Sequence, residues 1–398
     1  MKWLLLLLLT IINPEISMED KMLRKKAVEL AKKIIIVDTH IDLHYRLISK
    51  RDDIADRSDE GNFDLARAVE GGLNAPFISI FTSARYEAEG ISKSKADELI
   101  DFVEYVVKTH PDKTAIPKSV NDIYHNFAMG KISLPLGMEN GSPIESDLKN
   151  IDYFYDRGIR YITLTHGSNN HIGDSSYDDE EKWGGLSPFG KEVVKRMNEL
   201  GIMVDISHVS DKTFWDVLKI TKVPVIASHS SCREFTPGFE RNMSDGMIKA
   251  LAENGGTIQI TFGSSFLRKD IRDKIKARND NITNYVREHG WMMNDDKARE
   301  YSRKYRNENP VGYADVSDVA KHIDHAVKIA GIDHVGIGSD FDGVGDSLPT
   351  GLKDVSQYPN LIYELLKLGY SEEEIEKIMS GNLLRVCREV EEYAKKFK

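Results

Sequence analysis

Three histidines of this chain each close a short apolar run. His166 ends the stretch 160–166, His208 ends 202–208 and His229 ends 223–229. Glu139 and Asp340 close two further runs, 133–139 and 334–340. A fourth histidine, His40, stands two residues before Asp42, where the β-branched run Ile34-Ile35-Ile36-Val37 gives way to polar residues. Residues two apart in a strand point to the same side, so His40 and Asp42 aim an imidazole and a carboxylate at one point. Both are ligands for borderline or hard divalent cations. Alone, His40-x-Asp42 is also compatible with an ordinary polar strand end, and it is the recurrence along the chain that gives it meaning. His40, Asp42, Glu139, His208 and His229 suffice for two metals, each with two private ligands and a share of Glu139, whose two oxygens allow it to bridge. Cations about 3.5–4 Å apart lower the pKa of bound water toward neutrality, which suits attack on an amide or ester carbonyl. Cys232 and Cys387 are the chain's two cysteines. They are too few for a thiolate zinc cluster or a disulfide framework, so a metal here must be held by histidine and carboxylate.

Eight short, mostly apolar runs are expected as strands: the Ile34 run, then 75–82, 133–139, 160–166, 202–208, 223–229, 256–262 and 334–340. Helical patterns alternate with them, at 65–72, 93–109, 144–157, 187–200, 211–220, 243–253 and 316–330, with closing helices from 361 onward. A further helical pattern over 20–33 places Leu23, Ala27, Leu30 and Ala31 on one face. Strict alternation means parallel strands, and eight of them predict a closed (β/α)8 TIM-type barrel, an α/β fold whose active sites lie at the C-terminal ends of the strands. An open doubly wound sheet would need a glycine-rich phosphate loop or a switch-point crevice, and no G-x-G-x-x-G follows the first strand. Residues 46–64 and 167–185 read as polar loops, and 267–310 as a charged helical insertion after strand seven.

The chain has 398 residues, 40% hydrophobic and 30% charged, with a net charge of −10. That is a globular composition with length for a large core. No lysine-arginine block stands out, which argues against a nucleic-acid partner. Lys2 followed by the apolar stretch from Leu4 to Ile12 has the form of a secretory leader and is too short to span a bilayer. The expected organisation is therefore a leader over 1–17, then one barrel domain over 18–398. The protein would be secreted or periplasmic, without a lasting membrane anchor once the leader is cut.

The chain resembles the membrane dipeptidase (renal dipeptidase) family of zinc peptidases. The matching stretches are Val37 to Leu43, Gly137 to Gly141, Tyr161 to His166, Gly185 to Gly190, Val204 to Ser210, Ala227 to Ser230, Arg241-Asn242 and Gly336 to Gly343. They run in the family's order. The resemblance implies two zinc ions per chain: His40, Asp42 and Glu139 would bind one, and Glu139, His208 and His229 the other. It further implies that His166 contacts substrate and stabilises the developing oxyanion. Arg241, with Asn242 beside it, would hold the substrate's terminal carboxylate, and Asp340 would shuttle a proton to the leaving amine. Small dipeptides are the implied substrates, and a homodimer is compatible. Mammalian members carry a substrate-binding tyrosine just after strand seven, where this chain reads Phe262-Gly263-Ser264-Ser265-Phe266. Two rival readings stay open at this level. One is an amidohydrolase acting on another small amide, such as an N-acyl amino acid or a lactam. The other is a metal-containing binding protein without activity.

Among residues outside this set, His44 reads as a loop residue, His171 as a solvated one in a polar loop, and His322 and His325 as lying on a charged helix face. Asp38 and Asp205 are either supports for the ligands or inward strand polars. Asp340 is preferred to Asp342 because it ends the strand.

Overall fold

The computed structural model describes residues 17–43 and 53–397. The expected leader, apart from Ser17, lies outside the described residues, as do His44 and part of the 46–64 loop.

Eight parallel strands form one sheet in chain order. They are β1 (Ile36–Ile41), β2 (Leu73–Phe81), β3 (Leu136–Glu139), β4 (Ile159–Thr163), β5 (Met203–Asp205), β6 (Ile226–Ser230), β7 (Thr257–Ile260) and β8 (Val335–Ile337). The seam between β8 and β1 closes through the Asp340 N–H on the His40 carbonyl at 3.0 Å and the Asp42 N–H on the Phe341 carbonyl at 2.8 Å. The result is the expected (β/α)8 barrel.

Caps explain where the surrounding helices begin. Ser17, Ser187, Ser210 and Ser244 each accept an N–H of the first turn of the helix that follows, satisfying donors that would otherwise have no partner. Helix Met18–Lys33 buries Ala27, Leu30 and Ala31, as its pattern predicts. At the N-terminal end of the barrel, Ile35, Val37, Phe77, Tyr161 and Met203 share a buried cluster with Leu383, Val386, Cys387 and Val390 of helix Asn382–Ala394. That helix therefore packs across the barrel floor, at the end away from the strand C-termini. Both cysteines are free and buried.

Several expected boundaries shift for physical reasons. The third strand starts at Leu136 instead of residue 133, because Pro135 has no N–H for the ladder. Residues 132–133 pair instead with Thr114–Ala115, outside the barrel. Helix Val120–Ala128, capped by Ser119, lies between the two halves of that pair and was not anticipated. β5 stops at Asp205 and β8 at Ile337, before His208 and Asp340. Both residues take left-handed backbone, with φ of 67° and 64°. A non-glycine residue in that region carries strain, a condition that clusters at functional sites. The 167–185 loop, polar in composition, is largely packed: Asn170, Asp174 and Ser175 are buried. Asp174 accepts the N–H groups of Lys182, Trp183 and Gly185, so its side chain replaces water. The insertion after β7 is helical as expected, with helices Lys269–Glu288 and Asp296–Glu308. Among the described residues no helix is long and apolar enough to cross a membrane.

Candidate metal centre and active site

The side chains at the strand ends meet around Glu139. Its carboxylate lies 3.3 Å from His40 Nε2, 3.2 Å from His208 Nε2, 3.3 Å from His229 Nε2 and 3.5 Å from His166 Nε2. Ser79 on β2 donates to the same carboxylate at 3.1 Å. Asp42 Oδ2 is 3.5 Å from His40 Nε2. Ligand atoms of His40, Glu139 and His229, of Glu139, His166 and His208, and of His40, Asp42 and Asp340 form three groups, each within 4.8 Å. The groups overlap through Glu139 and His40, so the constellation is a single centre.

The hydrogen-bond network fixes two tautomers. Tyr161 Oη donates to the Thr39 carbonyl at 3.0 Å and therefore accepts from His40 Nδ1 at 2.9 Å. In the neutral ring this leaves His40 Nε2 as a lone pair, buried and without a hydrogen-bond partner. Ser228 Oγ donates to Asp205 at 2.6 Å and accepts from His229 Nδ1 at 2.8 Å, so His229 Nε2 is also a lone pair. Lone pairs facing a carboxylate at 3.3 Å repel it unless a cation lies between them. The donor set therefore fits divalent metal, with each ring oriented by a partner behind it.

The supports are themselves held in place. Asp205 also accepts the Ser207 and Ser228 N–H groups and the Thr163 hydroxyl. Asp38 accepts the N–H groups of His40 and Ser339 and the Tyr358 hydroxyl, tying β1 to the segment after β8. Both acids thus act as supports. Gly137 on β3 makes room for Tyr161, since a Cβ there would come within 2.0 Å of the ring. A Cβ at Gly343 would meet Asp42 and Asp340 oxygens at 2.1 and 2.2 Å, so only glycine fits beside this pair.

Burial sets the protonation states. It pushes His208 well below the ordinary histidine value, helped by the Arg241 charge. It brings His229 to about 3, with His40 and Arg241 adding to the effect. Both rings are neutral, as metal ligands must be. Burial opposes ionisation of both Glu139 and His40, yet His40 is raised well above the ordinary histidine value by Tyr161, Glu139 and Asp42, and Glu139 is held well below the usual range, mainly by His40, so a proton stands where a cation would. Asp340 moves the other way, well above the usual range, because it is buried beside the Asp42 carboxylate.

The other expected residues fall in or next to the same cleft. Of about 1350 Å³, it is lined by Asp42, Glu139, His166, His208 and Asp340. Arg241 is buried behind it, donating from Nη1 to Ser230 Oγ at 2.9 Å and from Nη2 to the His229 carbonyl at 2.7 Å. Its Nε has no hydrogen-bond partner, and the guanidinium makes no ion pair among the described residues. Asn242 uses its amide NH2 on Thr236 Oγ1 and the Phe266 carbonyl, both at 2.7 Å, which holds the Arg241 loop against the segment after β7. Asp342 accepts the Asn62 N–H at 2.6 Å at the cleft edge.

Two histidines differ from expectation. His171 pairs with Glu87 at 3.2 Å instead of lying in solvent. His322 is buried, between the Cys232 N–H at 3.1 Å and the Leu267 carbonyl at 3.0 Å, and its pKa is pushed down to about 4 by burial. Tyr177 was not anticipated. It comes from the loop after β4 and lines the cleft, its ring centroid 5.9 Å from that of His208. It brings a phenol into the cleft of a chain that has no tyrosine between Phe262 and Phe266.

Residues 24–398 match the membrane dipeptidases, peptidase family M19. This chain belongs to that family. Two curated relatives are 32% and 33% identical. The first is an uncharacterised dipeptidase of Schizosaccharomyces pombe, matched over 94% of this chain and 84% of its own length. The second is dipeptidase aclJ of Aspergillus oryzae, matched over 84% and 71%. Among solved structures, the probable dipeptidase PvdM of Pseudomonas aeruginosa superposes with a TM-score of 0.81 at 27% identity, over 94% of this chain and 100% of that one. An M19 metallo-dipeptidase requires metal, and the Glu139 cluster is the candidate site for it.

The Tyr161 contact gives a first test. Tyr161→Phe removes the acceptor that orients His40 while keeping the ring that fills the barrel. Metal affinity measured by calorimetry is expected to fall about 10- to 100-fold, the usual cost of losing a partner behind a ligand. Unchanged affinity would contradict the tautomer assignment.

Proposed function

We propose that this chain is a dinuclear zinc dipeptidase that hydrolyses the amide bond of dipeptides with a free C-terminal carboxylate. The observation that carries the carboxylate requirement is Arg241. A buried guanidinium without an anionic partner, adjoining a ligand cluster, calls for an anion from outside, and its planar fork matches a carboxylate. A related fold supports the substrate class: the metallopeptidase of Rhodobacter sphaeroides has been solved with a phosphinate mimic of the dipeptide L-Ala-D-Ala.

Nitrogen and oxygen donors without thiolate suit zinc, with His40, Asp42 and Glu139 on one ion and Glu139, His208 and His229 on the other. Bound there, zinc supplies Lewis acidity toward water and the scissile carbonyl. The chain's own residues do the rest. Arg241 holds the terminal carboxylate, and Asn242 fixes the loop that carries it. His166, kept neutral mainly by burial, donates a hydrogen bond to the carbonyl oxygen as charge develops there. Asp340, whose carboxyl readily carries a proton, moves one from water to the leaving amine.

Chain length tests this reading. Holding the free amine at the metal end of the cleft and the carboxylate at Arg241 leaves room for one amide between them. A tripeptide moves its carboxylate by about 3.3–3.6 Å, and misplacement of about 1 Å already costs on the order of 100-fold in rate. With zinc present, free dipeptides are expected to turn over at least about 100-fold faster than tripeptides or N-acyl amino acids. Comparable tripeptide rates would defeat the dipeptidase reading. Turnover of N-acyl amino acids alone would make the protein an amidohydrolase.

A further inference from the structure

The cleft has a second wall, built by the insertion after β7. Its two helices have a small core of their own, Ile282, Val286 and Ala298, packed by Trp291, Tyr301 and Tyr305. Tyr285 stacks on Tyr301 with centroids 3.8 Å apart and planes 9° from parallel. This hairpin is a braced unit. Ile271, Ile275 and Arg278, spaced i, i+4 and i+7, turn one face of helix Lys269–Glu288 into the cleft, and helix Asp296–Glu308 adds Arg306.

What sets two of the hairpin's charges apart is their place: of its basic residues, Arg278 and Arg306 line the cleft. Lys269, Lys274, Lys276 and Lys304 each pair with a carboxylate one turn away, on Asp273, Asp270, Asp280 and Glu308. Arg278 and Arg306 make no ion pair among the described residues. Arg278 Nη1 reaches only the Asn309 carbonyl, at 3.5 Å, and its Nε is buried without a hydrogen-bond partner. After burial, the Arg306 charge is what pulls the Arg278 pKa down, so the two guanidiniums repel one another. Nearby acids are otherwise engaged: Asp346 accepts the Tyr313 hydroxyl at 2.7 Å, and Asp342 the Asn62 N–H at 2.6 Å. Two like charges held together on a braced wall, facing a substrate cleft, form a field that an anion would relieve.

We propose that Arg278 and Arg306 form an outer anion subsite that takes a second carboxylate of the substrate, the side chain of an aspartyl or glutamyl residue in the dipeptide. The proposal rests on the dipeptidase reading and adds substrate class to it. Arg241 takes the terminal carboxylate, and the insertion selects for the acidic side chain.

The test is steady-state kinetics of the zinc-loaded full chain on Ala-Ala and on dipeptides that carry Asp or Glu at either position. For the parent enzyme, at least one acidic series is expected to show a KM about tenfold below that of Ala-Ala, and added salt should erode the difference. In the Arg278→Gln, Arg306→Gln double variant, the acidic KM should rise about tenfold with kcat little changed, while Ala-Ala kinetics stay within about twofold. Arg306→Glu should reverse the preference. Equal KM values for neutral and acidic dipeptides in the parent enzyme would overturn the proposal, whether or not the variants fold. Equal KM shifts for both substrate types in the variants would overturn it as well. Ala-Ala turnover without acidic preference sinks the subsite alone, whereas no turnover of any dipeptide sinks the dipeptidase reading and the subsite with it.

Discussion

Glu139→Gln is expected to abolish dipeptide hydrolysis and to strip the protein of most of its metal. Among the described residues, Glu139 is the one side chain with an ion-pair contact within 3.5 Å to all four site imidazoles. An amide keeps one acceptor oxygen but places an NH2 where the second oxygen stood and removes the negative charge. On the two-metal reading, a bridging ligand is lost to both positions at once. Losing a mere support costs about 10- to 100-fold in affinity or activity, so loss of the shared ligand should exceed 1000-fold in kcat/KM, by order of magnitude. Elemental analysis beside the activity assay separates the causes. Full metal content with lost activity would mean that Glu139 acts on substrate. Full metal content with full activity would remove it from the centre.

The second large effect is expected at Arg241. Arg241→Ala should lower kcat/KM for free dipeptides by about 2–5 kcal/mol, the range for truncating one partner of a buried charge pair. At 1.4 kcal/mol per decade that is on the order of 30- to several thousand-fold. The guanidinium also braces the His229 carbonyl and Ser230, so part of the loss could be structural. A cycle with C-terminally amidated dipeptides resolves this. The amide lacks the carboxylate, so the parent enzyme should turn it over poorly, and Arg241→Ala should cost little more. If the variant loses equally on free and amidated substrates, Arg241 braces the site without binding the carboxylate.

Much of this site is legible in the sequence because a barrel converts one-dimensional order into convergence. Ligands that end successive strands must meet at one mouth, so His40, Glu139, His208 and His229 are recognisable from their positions alone. What is less legible follows from two causes. The first is backbone: nothing local announces that His208 and Asp340 leave the strand in left-handed conformation, so β5 and β8 are read too long. The second is distance along the chain. Tyr161 orients His40 from across the barrel, and Asp205 orients His229 through Ser228. Such supports look like ordinary strand residues until the strands are side by side. His322 shows the same limit: it lies on a helix with charged neighbours, yet the face it occupies is turned inward. Arg278 and Arg306 are hidden among many other charges, and only the cleft distinguishes them. Tyr177 is hidden in a loop whose Gly, Asn, Asp and Ser content reads as solvent-exposed, although those side chains satisfy buried backbone groups.

The central claim is that hydrolysis depends on a two-metal centre organised by Glu139. Stoichiometric return of zinc to the metal-stripped protein tests it most directly, with bound metal and Ala-Ala hydrolysis followed on the same samples. The account predicts that both rise together and reach their plateau at about two zinc ions per chain. A plateau of activity at one equivalent, or undiminished hydrolysis by the stripped protein, would contradict it.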